Sequence, residues 1–263
     1  MADYLAAARE QALRVASAQS LLDFVAKTRG AGEKYLEATA AGSAAFLAGP
    51  AELTFGLCLL AAYTSYQYNV WTSWWSAVDR CWSVLPAVYA LVFALWPVLG
   101  WPPKLAALAT LDARLVIMAA LVVLWGLRLT RNFARKGGYS PGAESEDYRW
   151  PILRDFFKRA DPLHPAGEQL FSLFFVAIYQ QLLIWGFVAP PLFVASLGAA
   201  KPLGATDVLL ALAFLLLLAG ETWADEAQWA FQSAKHAMTP AQRERAGGDF
   251  ARGFLTTGPF AYS

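Results

Sequence analysis

Residues 125–139, WGLRLTRNFARKGGY, carry the densest set of groups suited to chemistry in this chain. An apolar run ends in Arg128, and Arg131, Arg135 and Lys136 follow within two helical turns. On a helix, Arg128, Asn132 and either Arg135 or Lys136 share a face, because positions i, i+4 and i+7 or i+8 do so. Arginine offers a planar donor fork that matches phosphate, and Asn132 adds a neutral donor and acceptor. Gly137 and Gly138 would let a ligand approach the backbone closely. A phosphate-bearing cofactor is one reading of this pattern. Anchoring of a membrane helix at the cytoplasmic face, closed by a glycine helix stop, is the other.

A second polar face lies downstream. Glu221, Asp225, Gln228 and Gln232 fall on one side of a helix at the end of another apolar run. Acids at that depth are costly unless solvated or paired. They suit ribose hydroxyls or adenine nitrogens, and they suit equally the Arg128 cluster. Gln180 and Gln181 stand in the middle of an apolar stretch, where amides bond between helices or line a substrate cavity. Asp79 and Arg80 read as a local ion pair at a turn. Tyr89 and Tyr179 are ionisable groups at membrane depth and hence candidate proton donors.

The elements that must position these groups are membrane helices. Of 263 residues, 57% are hydrophobic and 16% charged, against about 25% charged in soluble domains. The deficit is concentrated in long runs with few or no charges. About 20 apolar residues of helix cross a bilayer, and five spans are expected near 53–71, 83–99, 112–130, 170–188 and 207–223. Pro97, Pro102 and Pro103 are expected to close the second span, and Pro190 and Pro191 the fourth. Many of the 11 tryptophans flank these runs, as headgroup-level aromatics do. The fold class is therefore all-α, a polytopic membrane helical bundle. Residues 1–42 read as a polar, Ala-rich, amphipathic helical extension, and residues 43–263 as the membrane domain.

Positive charges fix the expected orientation. Arg131, Arg135, Lys136, Arg149, Arg154, Lys158 and Arg159 crowd one loop, and Lys235, Arg243, Arg245 and Arg252 the tail. Both are assigned to the cytoplasm. The source membrane is endoplasmic reticulum or bacterial inner membrane. A net charge of +1 gives no bulk attraction for nucleic acid. His164 and His236 lack ligand partners at metal spacing, and Cys58 and Cys81 lack metal or redox spacing, so no metal site is expected. The start carries no secretory signal. Dinucleotide, Walker, zinc-protease and nucleophile-elbow motifs are absent.

The blocks LWGLRLTRNFARKGGY, EDYRW, ETWADEAQWAFQ and GFLTTGPFAYS resemble, in order and spacing, the DUF1295 membrane family, related to steroid 5-alpha-reductases. The resemblance implies an all-helical fold of about seven spans with a cytoplasm-facing NADPH pocket between the later helices. It assigns Arg128, Asn132, Arg135 or Lys136, Glu221, Asp225, Gly258, Phe260 and Tyr262 to that pocket, with Gln228 on the same face as the acids. Such a family continues into an Arg-His-Pro-Asn motif where this chain stops at Ser263, which reads as a C-terminal truncation. The steroid reductases' catalytic Glu and Tyr correspond to Val84 and Trp125, neither of which donates a proton to an enone oxygen. The expectation is an NADPH-dependent reductase of a hydrophobic, lipid- or sterol-like substrate entering from the bilayer. Gln180 and Gln181 are the candidate substrate residues. An S-adenosylmethionine-dependent methyltransferase of the isoprenylcysteine type is the alternative, and a non-enzymatic membrane protein or inactive fragment the third.

Overall fold

A computed structural model describes residues 49–99, 105–140, 146–160, 166–196 and 202–261. The expected extension over 1–42 lies outside them, as does Tyr262. Every regular element among the described residues is helical. The long ones are α1 (Pro50–Thr72), α2 (Cys81–Leu99), α3 (Ala113–Arg135), α5 (Ala166–Gly186) and α7 (Ala205–Ala237). Between them lie α4 (Arg149–Ala160) and α6 (Ala189–Ser196). After α7 come α8 (Pro240–Ala246), α9 (Gly248–Arg252) and a 3-10 turn over Gly258–Phe260.

Among the described residues, four segments are long and apolar enough to cross a membrane: Trp75–Leu99, Ala113–Arg135, Ala166–Gly186 and Ala205–Ala237. The protein is an integral membrane protein. α1 has the length, 23 residues, but is less apolar. Its polar groups turn inward: Thr54, Ser65 and Asn69 are all buried. Thr54 accepts from the Trp185 indole at 3.1 Å, and the Asn69 carboxamide meets the Ser172 hydroxyl at 3.2 Å. α1 therefore docks on α5 by interhelical hydrogen bonds as well as by packing.

The core lies between α1, α2 and α5, around Cys58, Tyr89, Phe93, Val176 and Ile184. α5 contains an eight-residue π-helical stretch, Ser172–Tyr179, and runs straight on into Gln180 and Gln181. Gln180 accepts from the Trp82 indole at 3.1 Å. Gln181 is fully buried and donates to Ser65 at 3.4 Å. Both amides thus join helices, and neither lines the cleft described below.

α2 and α3 cross closely because Gly126 has no side chain there: a Cβ would stand 2.7 Å from the Ser83 carbonyl. Pro97 does not end the second span. It lies inside α2, which continues to Leu99, as apolar membrane helices tolerate. The fifth span also overruns its expected end at 223 and continues unbroken to Ala237. In its most apolar stretch no residue is buried by protein.

The acidic-aromatic string after the glycines has a structural task. Glu146 accepts from the Trp75 backbone at 2.8 Å and pairs with Arg154. The Trp150 indole donates to Asp79 at 2.9 Å. This corrects the expected Asp79–Arg80 pair, since Arg80 instead donates to the carbonyls of Gly138, at 3.2 Å, and Ser140, at 2.8 Å. The turn at 75–80 brings the Arg80 guanidinium to those carbonyls and leaves Asp79 to the indole.

Candidate functional site

α3 reaches past its apolar stretch because Leu129, Ala134 and the arginines at 128, 131 and 135 are good helix formers that sustain it to Arg135. It stops at Gly137, whose φ of +80° is left-handed. Gly138 is needed as well, since a Cβ there would enter the Phe133 ring. The pair is thus a helix stop, clamped from outside by Arg80.

The two polar faces expected from the sequence meet. Arg128 pairs with Asp225 at 2.7 Å and with Glu221 at 3.2 Å. Arg131 and Arg135 both contact the same carboxylate oxygen of Glu226, at 2.6 and 2.7 Å. Asn132 is buried and accepts from Arg135 Nε at 3.0 Å and Nη2 at 2.8 Å. Arg135 Nη2 also donates to the Asp225 carbonyl at 2.9 Å. The Trp229 ring lies under this guanidinium, 4.9 Å from its centroid, a favourable cation–π geometry. This pairing explains why α7 continues: its acids meet partners on α3 rather than ending the helix in solvent.

A cleft of about 560 Å³ opens beside the pair. Arg128, Glu221, Asp225 and Gln228 line it from α3 and α7, and Phe254, Leu255 and Phe260 from the segment after α9. Its size lies within the range of small-molecule sites, roughly 300–1,000 Å³. The Nε of Arg128 is buried and has no hydrogen-bond partner among the described residues. Gly258 sits at a φ of +62° in the turn that presents Phe260. Of the other residues expected in the pocket, Asn132, Arg135 and Gly258 do not line the cleft, and neither does Lys136, which is exposed at the helix cap.

Sequence reasoning missed how the 253–260 segment is held. Asp249 accepts from the Thr256 backbone at 3.0 Å, from the Thr256 hydroxyl and from the Thr257 hydroxyl at 3.1 Å. The Thr256 hydroxyl holds the Asp249 carboxyl below the usual carboxylate range. Lys235 donates to the Gly253 carbonyl at 2.9 Å, and Phe231 stacks on Phe250 at 5.1 Å. An Asp seven residues before a Thr-Thr pair was the available signal. At the other end of α3, Arg114 grips Asp207 with two bonds, of 2.7 and 2.9 Å.

The candidate proton donors separate. Tyr179 is 48% exposed on the outer surface. Tyr89 is wholly buried, and its hydroxyl has no partner among the described residues. The Tyr139 hydroxyl lies 2.6 Å from that of Ser83, at the α2–α3 crossing. Trp125 stacks on Phe187 at 5.5 Å.

No cluster of metal-ligating side chains occurs among the described residues.

Four apolar helices and a charge-paired cleft between two of them define a polytopic α-helical membrane protein. The chain belongs to the DUF1295 family, described as proteins of unknown function, whose profile it matches over residues 65–258. It is 35% identical over 201 residues to an uncharacterised protein of Schizosaccharomyces pombe, a match covering 74% of this chain and 54% of the relative. The chain thus spans about half the length of that curated relative. No solved structure matches it significantly.

Proposed function

We propose that the protein is a membrane-embedded NADPH-dependent reductase acting on a hydrophobic, lipid- or sterol-like substrate. One observation carries the reading: a single cleft gathers Arg128, Glu221, Asp225, Gln228 and Phe260 from sequence blocks far apart in the chain. Arg128 suits a phosphate, with its buried Nε unspent. The two carboxylates and Gln228 suit ribose hydroxyls, and Phe254 and Phe260 suit a planar ring. Bound NADPH would supply a hydride; the protein's part is to hold, orient and screen the reacting groups. Neither Tyr89, enclosed in the core, nor Tyr179, on the outer surface, lines the cleft. The cleft faces the cytoplasm on this reading, because Arg149, Arg154, Lys158 and Arg159 follow α3 and Arg243, Arg245 and Arg252 follow α7. The membrane is that of the endoplasmic reticulum or a bacterial cytoplasm.

A second reading has an observation in its favour. The cleft is lined by one guanidinium and two carboxylates, a balance that suits the cationic S-adenosylmethionine. Titrating the detergent-purified protein with NADPH and with S-adenosylmethionine separates the two. Binding of NADPH, weakened at least about tenfold by Arg128→Ala, supports the reductase. Binding of S-adenosylmethionine alone transfers the case to a methyltransferase, and binding of neither removes both.

A further inference from the structure

Arg131 and Arg135 converge on one oxygen of Glu226. A carboxylate oxygen held between two guanidinium forks occupies the position that a phosphoryl oxygen would take in the same cradle. We infer that Glu226 is a built-in competitor for a ligand's phosphoryl group, which displaces it from Arg131 and Arg135 on binding. Arg131, Arg135 and Glu226 sit on the two helices that wall the cleft, outside its lining; the inference rests on the reading of this helix pair as the seat of a phosphate-bearing cofactor and names a residue that tunes its affinity.

The two halves of the bridge are built differently. Arg135 is 14% exposed and is fixed without help from Glu226. Asn132 accepts from its Nε and Nη2, the Asp225 carbonyl accepts from Nη2, and Trp229 lies under its plane. Only Nη1 is turned to Glu226. Glu226, by contrast, is 43% exposed and Arg131 68% exposed. Exposed ion pairs contribute little, since water and salt screen them and two long side chains must be ordered. A removable anion therefore rests on a preorganised cation. A phosphoryl group carries more charge and more acceptor oxygens than a carboxylate, so it wins the cradle when present. Glu226 keeps the cationic pair neutralised when it is not.

The test is calorimetric titration of the purified full chain with inorganic pyrophosphate, NADH and NADPH. Glu226→Gln keeps the side-chain shape and removes the charge. It should tighten pyrophosphate and NADPH by about threefold to tenfold, the range expected for losing one exposed anion beside two cations. Glu244→Gln, on α8, removes the same charge away from the bridge and should change neither. Adding Arg135→Ala to Glu226→Gln should abolish the gain. A preferential gain for NADPH would put a 2′-phosphate in the cradle, and an equal gain for NADH a pyrophosphate. NADPH binding that Glu226→Gln leaves unchanged, or changes no more than Glu244→Gln does, overturns the inference while leaving the reductase reading intact. Tighter pyrophosphate without NADPH binding upholds the inference and removes the reductase. Failure of wild type and variant to bind any of the three removes both.

Discussion

Arg128 and Asp225, 97 positions apart in the chain, meet at 2.7 Å and close the wall of the cleft. The contact joins the cytoplasmic ends of α3 and α7 in the proposed orientation. Their side chains are 16% and 26% exposed, so water only partly screens the pair. Truncating one member of such a pair strands the other.

Arg128→Ala should therefore remove a ligand contact and unbalance Asp225 and Glu221 together. The expected loss in NADPH affinity is at least about tenfold, from a penalty of roughly 2 kcal/mol. An Arg128→Ala/Asp225→Ala double mutant measures the coupling. Additive losses would mean that the pair acts independently of the ligand.

Arg135 and Lys136 should now behave differently, although their spacing in the sequence makes them equivalent. Arg135→Ala should weaken NADPH more than NADH, because Asn132, Trp229 and the carbonyl of the cleft-lining Asp225 fix the Arg135 guanidinium in place. Lys136→Ala should leave the ratio unchanged, since Lys136 is exposed at the cap. Paired titrations with the two nucleotides decide it, and equal behaviour of the two variants would refute the assignment.

Gly126→Ala should loosen the α2–α3 crossing, since its Cβ would stand 2.7 Å from the Ser83 carbonyl. Overpacking of this kind costs roughly 1–3 kcal/mol. Thermal unfolding in detergent should show the shift, and an unchanged midpoint would mean that the crossing is not tight.

Glu146→Ala should destabilise the protein by about 3 kcal/mol, the scale of a buried pair losing one partner. Glu146 is 4% exposed and holds both Arg154 and the Trp75 backbone. Limited proteolysis between α3 and α4 should accelerate in the variant; an unaltered cleavage rate would show that the clamp is dispensable.

Acid should release the 253–260 segment. The Asp249 carboxyl is held below its ordinary value by the Thr256 hydroxyl. A depressed folded-state value contributes stability above the unfolded value, about 3.9, and loses it as pH falls through the folded one. The segment should therefore stay docked at pH 5 and loosen below about pH 4. Asp249→Asn should loosen it at every pH. Hydrogen-exchange protection at Thr256, whose amide bonds to Asp249, taken relative to the intrinsic rate at each pH, follows the change; protection that does not fall below about pH 4 would contradict it.

Four of the five expected spans were legible because charge is excluded from long runs, a signal that needs no tertiary knowledge; the first, over 53–71, is not among the segments apolar enough to cross. The meeting of the two polar faces was one of the readings the sequence left open, since acids and arginines at one membrane depth can pair with each other or with a ligand. The unbroken course of α7 was not legible, because Glu221 and Asp225 look like a solvated helix end until Arg128 is placed opposite them. The inward face of α1 was hidden for a related reason: Thr54, Ser65 and Asn69 lower the apolar character of a helix that buries them. The hold of Asp249 on Thr256 and Thr257 left no periodic trace, as loop hydrogen bonds do not. The Ser83–Tyr139 contact depends on the close approach allowed by Gly126, and a lone glycine in an apolar run does not announce its neighbour.

The grip of Arg114 on Asp207 has a mechanical consequence. α3 and α7 are pinned at one end by this two-bond fork and at the other by the charges around Arg128. Between these points α7 offers its most apolar stretch to lipid, with nothing of it buried by protein. A rod held at its ends moves most easily about whichever fastening stays shut. If ligand loosens the acids near the cleft, α7 should swing as a lever with Asp207 as fulcrum, so that spin labels near Gln232 separate from α3 while labels near Leu209 stay in place. Equal movement at the two sites would show that the helix slides and that the fork is no fulcrum.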